Sequence, residues 1–202
     1  MSIRAVIFDL GGVLVRTENR APREQLANSL GMTYEEISHV IFDSESARLA
    51  TLGKITTQAH WENIRETLKL SPEEFSRVRV AFWSGDSLDE NLVDYIRSLR
   101  LQYRTGLLSN AWDNLREIIE SRWKISDAFD EIIISSEVGV AKPDPRIYHM
   151  TLNRLEVAPQ EAVFVDDFIE NVEAACSAGL YGIHFVKPEQ VVSELSKLLD
   201  GE

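Results

Sequence analysis

The chain of 202 residues has little cysteine, little positive charge and no long apolar segment. Its single cysteine, Cys176, excludes a disulfide within the chain. It has 21 lysines and arginines against 33 acidic residues, and no basic cluster stands out, which argues against nucleic-acid binding. No apolar run approaches the ~20 residues of a membrane span. Because an apolar segment begins soon after Met1, we expect no secretion signal and predict a cytoplasmic protein.

Short apolar runs predict a β-sheet at the centre of the fold. They occupy residues 3–8, 104–109, 131–135, 162–166 and 181–186. Continuous runs of this length suit parallel strands that are buried on both faces. Amphipathic helical patterns separate them, and Cys176 is expected on the inner face of one such helix. The alternation predicts an α/β fold, a doubly wound parallel sheet with right-handed crossovers.

Residues 17–89 lack a convincing strand and favour helices instead. The helical patterns lie near residues 21–30, 33–42, 56–69 and 72–83. Because ~70 residues is long for a single connection, we interpret this segment as an all-helical cap inserted into a core formed by 1–16 and 90–202. Packing of these helices on one side of the sheet stays an alternative. Residues 48–57 are expected to form the cap loop that faces the substrate.

Polar residues with catalytic potential follow the predicted strands. They are Asp9, the pair Ser109 and Asn110, Lys142 in a proline-bounded loop, and the pair Asp166 and Asp167. Ligands of open α/β sheets bind just outside the carboxyl ends of the strands. Carboxylates suit a hard divalent cation, and the three aspartates would balance Mg²⁺ plus Lys142. Ser109 and the amides at a helix start would hold an anion, although helix capping also explains that pair.

The ordered motifs DxxGxL, SN, KP and DDxxxN, each at a predicted strand end, resemble the haloacid dehalogenase-like hydrolase superfamily. The resemblance covers nearly the whole chain, including a helical cap inserted after the first motif. It is strongest to the subfamily of glucose-1-phosphatase-like proteins and the N-terminal phosphatase domain of soluble epoxide hydrolases.

This resemblance implies roles for the residues of the motifs. Asp9 would be the nucleophile that forms an aspartyl-phosphate. The backbone carbonyl of Gly11 would bind Mg²⁺. Ser109 and the amide of Asn110 would hold the phosphoryl oxygens, and Lys142 would bridge the phosphate and the nucleophile.

The resemblance also implies a metal site and a substrate class. Asp167 would bind Mg²⁺ directly, with Asp166 in its first or second coordination sphere, so the metal residues are Asp9, Gly11, Asp166 and Asp167. The expected partner is a small phosphorylated metabolite such as a sugar phosphate. The sequence leaves open whether the protein is a monomer or a homodimer.

Gly11 departs from the usual pattern of phosphatases in this superfamily, which carry a second aspartate there as general acid and base. General acid–base catalysis is typically worth ~10²–10⁴-fold. Three hypotheses follow: a specialised or slow phosphatase, a 2-haloacid dehalogenase that attacks carbon without a metal, or a weakly active protein that binds a phosphorylated ligand. The paired aspartates of the last motif argue against the dehalogenase, and the resemblance to glucose-1-phosphatase-like proteins, which also have glycine at this position, favours the phosphatase.

Overall fold

A computed structural model describes residues 2–200, which form two sheets and a series of helices. The strands are β1 (Ala5–Phe8), β2 (Val15–Thr17), β3 (Asp86–Leu88), β4 (Arg104–Ser109), β5 (Glu131–Ile134), β6 (Ala162–Asp166) and β7 (Tyr181–His184). The main sheet has the order β5-β4-β1-β6-β7 and all its pairs are parallel. The predicted α/β class and its parallel sheet are confirmed.

Helices connect the strands and form the segment between β2 and β3. The α-helices are α1 (Ala21–Ser29), α2 (Tyr34–Phe42), α3 (Glu45–Thr51), α4 (Thr57–Thr67), α5 (Pro72–Trp83), α6 (Glu90–Leu99), α7 (Leu115–Glu117), α8 (Ser135–Val138), α9 (Pro145–Leu155), α10 (Ile169–Ser177) and α11 (Pro188–Asp200). A π-helical turn, Ile118–Trp123, continues α7. No helix within residues 2–200 combines the length and apolar character needed to cross a bilayer.

Strand β1 lies in the middle of the sheet and brings the candidate residues together. Phe8 pairs with Leu107 of β4 on one side and with Val165 of β6 on the other. The four residues of β1 are buried, and alternate side chains enter the apolar layers on the two faces of the sheet. Because the three strands are parallel and in register, their carboxyl ends open at one edge, where Asp9 follows β1.

Helices α1 to α5 form the predicted helical insertion and enclose an apolar cluster of their own. Its fully buried members include Ile37, Ile41 and Phe82. Capping boxes begin two of the helices, with Thr33 and Glu36 at α2 and Ser71 and Glu74 at α5. Four of these five helices, α1, α2, α4 and α5, were predicted from sequence, whereas the exact cap boundaries at 16, 17, 89 and 90 stay a prediction.

Three local predictions are wrong. The short strand β3 lies within the segment predicted to have no strand, where it pairs with β2 in an antiparallel two-stranded sheet. Helix α3 occupies the first part of the predicted loop 48–57, since Ser44 caps it by accepting a hydrogen bond from the Ala47 amide. Cys176 is exposed rather than in the core, because its Sγ lies beside Gly182 of β7, which is an edge strand of the sheet.

Candidate active site

Asp9 follows β1 and is almost completely buried, with 7% of its surface exposed. The Lys142 Nζ lies 2.8 Å from its Oδ1. Burial raises the pKa of Asp9 to about 7, with Lys142 lowering it and the Asp166 charge raising it further. A carboxylate held this close to a buried ammonium is oriented as a nucleophile or a metal ligand would be.

Lys142 bridges two carboxylates inside the protein. Its Nζ also lies 2.6 Å from Asp166 Oδ2, and 5.2 Å from the centre of the Phe164 ring. The Asn110 side chain fixes the Lys142 backbone from both sides: Nδ2 donates to the Lys142 carbonyl at 2.8 Å, and Oδ1 accepts from the Lys142 amide at 2.8 Å. The lysine is therefore positioned at its backbone and at its ammonium.

Asp166, the last residue of β6, is fully buried and its oxygens are well partnered. Besides Lys142, it accepts hydrogen bonds from the Phe168 amide at 2.8 Å and from Asn171 Nδ2, which is 3.1 Å from each oxygen. The Tyr148 hydroxyl donates to the Asn171 carbonyl at 2.8 Å. Asn171 orients Asp166, which explains the asparagine at the end of the DDxxxN motif.

Asp167 differs from its neighbour because one of its oxygens, Oδ1, is buried without a hydrogen-bond partner among the described residues. Burial, and then the charge of Asp166, raise the pKa of Asp167 to about 6. Asp9, Asp166 and Asp167 each offer a carboxylate oxygen, and these atoms lie within 4.8 Å of one another. Lys142 balances only one of the three charges, so the cluster has the donor set and the charge for a divalent cation.

The turn after Asp9 contains two glycines with opposite surroundings. Gly12 has a φ of +76°, and a Cβ built on it would lie 2.0 Å from Asp167 Oδ2. A Cβ on Gly11 would meet no atom within 4 Å. Gly12 is therefore required by the close approach of Asp167, whereas Gly11 borders open space where an acid would otherwise stand.

Ser109 ends β4, the strand beside β1, and is 3% exposed. The Asn110 side chain uses its Oδ1 and one Nδ2 hydrogen on Lys142, so its second Nδ2 hydrogen and its backbone remain for an anion. Ser135, buried at the start of α8, accepts a hydrogen bond from the Ala111 amide at 3.0 Å and lies 3.2 Å from the Ala111 carbonyl. Sequence reasoning missed Ser135, because nothing in a serine after an apolar strand indicates a contact across 24 residues.

The same loop continues into the helical cap. The Trp112 ring centre lies 4.4 Å from that of His60 and 5.7 Å from that of Trp61. Asp113 accepts hydrogen bonds from the Thr57 amide at 3.0 Å and from the Thr57 hydroxyl at the start of α4. The loop 110–114 therefore joins the candidate site to the cap.

Comparison with known proteins connects this geometry to a family. The model of the haloacid dehalogenase-like hydrolases matches residues 3–179. The chain is 44% identical over 98% of its length to mouse acyl-CoA dehydrogenase family member 10, and 30% identical over 98% to pig bifunctional epoxide hydrolase 2. It spans only 19% and 39% of these two relatives, respectively.

Two further proteins match the chain along their whole length. The phosphorylated carbohydrates phosphatase of Thermotoga maritima is 27% identical, with 98% of this chain and 100% of the relative covered. A HAD family enzyme from Bacteroides thetaiotaomicron, solved as a magnesium complex, superposes with a TM-score of 0.79 at 24% identity, covering 98% of this chain and 100% of that one. The structural likeness supports the fold.

Proposed function

The chain belongs to the haloacid dehalogenase-like hydrolases, and we propose that it is a magnesium-dependent phosphatase that hydrolyses small phosphomonoesters, sugar phosphates among them. The observation that carries this proposal is the carboxylate cluster of Asp9, Asp166 and Asp167 around the single ammonium of Lys142. The phosphatase from Thermotoga maritima supports the substrate class.

The donor set fits magnesium, which takes oxygen ligands and retains several waters. We assign Asp167, whose Oδ1 has no partner among the described residues, and Asp9 as direct ligands, together with the Gly11 carbonyl. Asp166 acts mainly by orienting Lys142, because its oxygens already accept several hydrogen bonds. When bound, the metal supplies positive charge that stabilises the phosphoryl oxygens.

The first half of the reaction transfers the phosphoryl group to the protein. A carboxylate oxygen of Asp9 forms a bond to phosphorus as the bond from phosphorus to the ester oxygen breaks, giving an aspartyl-phosphate and an alkoxide. Ser109, the Asn110 amide and Lys142 hold the equatorial oxygens, since phosphoryl transfer depends mostly on positioning and charge stabilisation. Water then attacks phosphorus, which releases inorganic phosphate and restores Asp9.

The leaving alkoxide obtains its proton from solvent in this proposal. Gly11 has no acid to donate, and the space beside it is open. An ester whose alcohol is more acidic than an ordinary alcohol depends less on a general acid, so an anomeric sugar phosphate suits the site. The absence of an acidic side chain at Gly11 also favours a second candidate function, a weakly active protein that binds a phosphorylated ligand.

A panel of phosphomonoesters, assayed for phosphate release with Mg²⁺ and with EDTA, tests the proposal. Magnesium-dependent turnover of sugar phosphates is the expected result, and Asp9→Asn serves as the control for contaminating phosphatases. Metal-independent release of halide from 2-haloacids would instead identify a dehalogenase. Absence of turnover, combined with a rise in Tm on adding a phosphorylated ligand, would identify the binding protein. The cytoplasmic location, and the choice between monomer and homodimer, stay predictions.

A further inference from the structure

The turn after β4, residues 109–111, is bonded to two distant segments of the chain. Asn110 exchanges two hydrogen bonds with the backbone of Lys142, as described above. On the next residue, the Ser135 hydroxyl accepts from the Ala111 amide at 3.0 Å and donates to the Ala111 carbonyl at 3.2 Å. Ser135 is fully buried, and Ala111 is half-buried.

Two bonds to one residue fix the orientation of that part of the backbone. A hydroxyl has one proton to donate, and Ser135 uses it on Ala111 while accepting from the same residue. Rotation of the turn would break both bonds and leave the buried Ser135 hydroxyl without these partners, which is costly. The Ala111 amide is bonded to Ser135, and the Ser109 hydroxyl and the Asn110 backbone amide beside it are the donors that we assign to an anion.

We propose that Ser135 is a positioning residue of the phosphate site, which acts by fixing the Ala111 backbone so that Ser109 and Asn110 present their donors to the phosphoryl group. This inference rests on the proposed phosphatase function. Ser135 does not act on the metal, because the carboxylate cluster follows β1 and β6, whereas Ser135 follows β5 at the edge of the sheet.

The neighbouring serine provides a matched control. The Ser136 hydroxyl is also buried but has no hydrogen-bond partner in the part of the chain that the structure describes. Ser135→Ala and Ser136→Ala therefore remove the same atom from adjacent positions, and only the first breaks the bonds to Ala111. Ser135→Cys, which keeps nearly the same shape but bonds weakly, provides a second variant should Ser135→Ala fold poorly.

The experiment measures the inhibition constant for inorganic phosphate, KM and kcat for the best ester of the panel, and Mg²⁺ affinity. Since small misplacements of binding groups cost up to ~10²-fold, Ser135→Ala and Ser135→Cys should raise the phosphate inhibition constant and KM about tenfold. Mg²⁺ affinity should be unchanged, and Ser136→Ala should match the wild type throughout.

Equal phosphate inhibition constants for Ser135→Ala and Ser136→Ala would overturn the proposal, and so would a parallel loss of Mg²⁺ affinity, since that indicates general loss of structure. If the wild type hydrolysed no ester, the proposed function would fail by itself. The rise in Tm caused by inorganic phosphate would then compare the same variants, and an unchanged rise in Ser135→Ala would refute the positioning role separately.

Discussion

The carboxyl edge of the sheet and the interior of the cap bury opposite kinds of side chain. At the edge, Asp9, Lys142 and Asp166 are buried as charges and held by short bonds. In the cap, aromatic rings such as Phe82 and Trp61 fill the interior. Buried charges are costly unless chemistry or a cation uses them, whereas aromatic burial stabilises the fold directly. The comparison indicates that chemistry can take place at the edge of the sheet, whereas the interior of the cap contributes stability.

The largest effect is expected for Asp9→Asn, which tests the chemical side of this comparison. The amide is nearly isosteric but is not a nucleophile, so turnover should fall on the order of 10⁴-fold or more. Tm should change little, because Lys142 keeps its bond to Asp166. Phosphate release and thermal unfolding measure the two quantities. Asp94→Asn, an exposed change of the same charge, is the control, and an active Asp9→Asn protein would remove Asp9 from the mechanism.

Phe82→Ala tests the structural side. Phe82 is fully buried in the cap, and truncation of such a ring typically costs about 3–5 kcal/mol. The free energy of unfolding, measured with urea, should fall by that amount, while kcat per folded molecule stays the same. Val80→Ala on the same helix is the control, since Val80 is 72% exposed. A collapse of kcat in the folded fraction would show that the cap takes part in chemistry.

The pH dependence of stability measures the free-energy cost of burying carboxylates at the carboxyl edge of the sheet. Asp9 and Asp167 have folded pKa values raised to about 7 and about 6, so in this range the folded protein binds more protons than the unfolded chain. In EDTA, the free energy of unfolding should therefore fall as the pH rises from 5 to 8, by up to about 4 kcal/mol. Saturating Mg²⁺ should flatten the curve. If the stability of the metal-free protein rose over this pH range, the raised pKa values of Asp9 and Asp167 would be contradicted.

The smallest effect is expected at Gly11. A side chain there meets no atom within 4 Å of its Cβ, so Gly11→Asp should fold and should raise turnover of ordinary alkyl phosphates by up to ~tenfold, since general acids contribute at least that much when placed correctly. Gly12→Asp is the contrasting variant, because its Cβ would lie 2.0 Å from Asp167 Oδ2. This clash would displace the Asp167 carboxylate, so the variant should lose its affinity for Mg²⁺. A fall in turnover for Gly11→Asp would show that substrate occupies the open space.

The main sheet could be predicted because buried parallel strands carry continuous apolar runs, as 162–166 does. The antiparallel pair of β2 and β3 could not, because these three-residue strands are partly exposed and form only through pairing across about 70 residues. Helix α3 carried a local signal in Ser44, which sequence reasoning overlooked.

Some residues of the candidate site could likewise be predicted from the sequence, and others could not. Asp9 and the pair Asp166 and Asp167 were identified because carboxylates are rare at the ends of apolar strands. The contacts of Ser135 and of the Asn110 side chain depend on which loops the fold brings together, and no local pattern encodes them.

The loop 110–114 has a consequence for how this chain can diverge. Its consecutive residues are attached in turn to the Lys142 loop, to α8, to the aromatic interior of the cap and to α4. Individual side chains in such a segment can be exchanged while the others hold it in register. One inserted or deleted residue would shift every attachment after it at once. Related sequences are therefore expected to vary in identity here while keeping the spacing from Ser109 to Asp113 free of gaps.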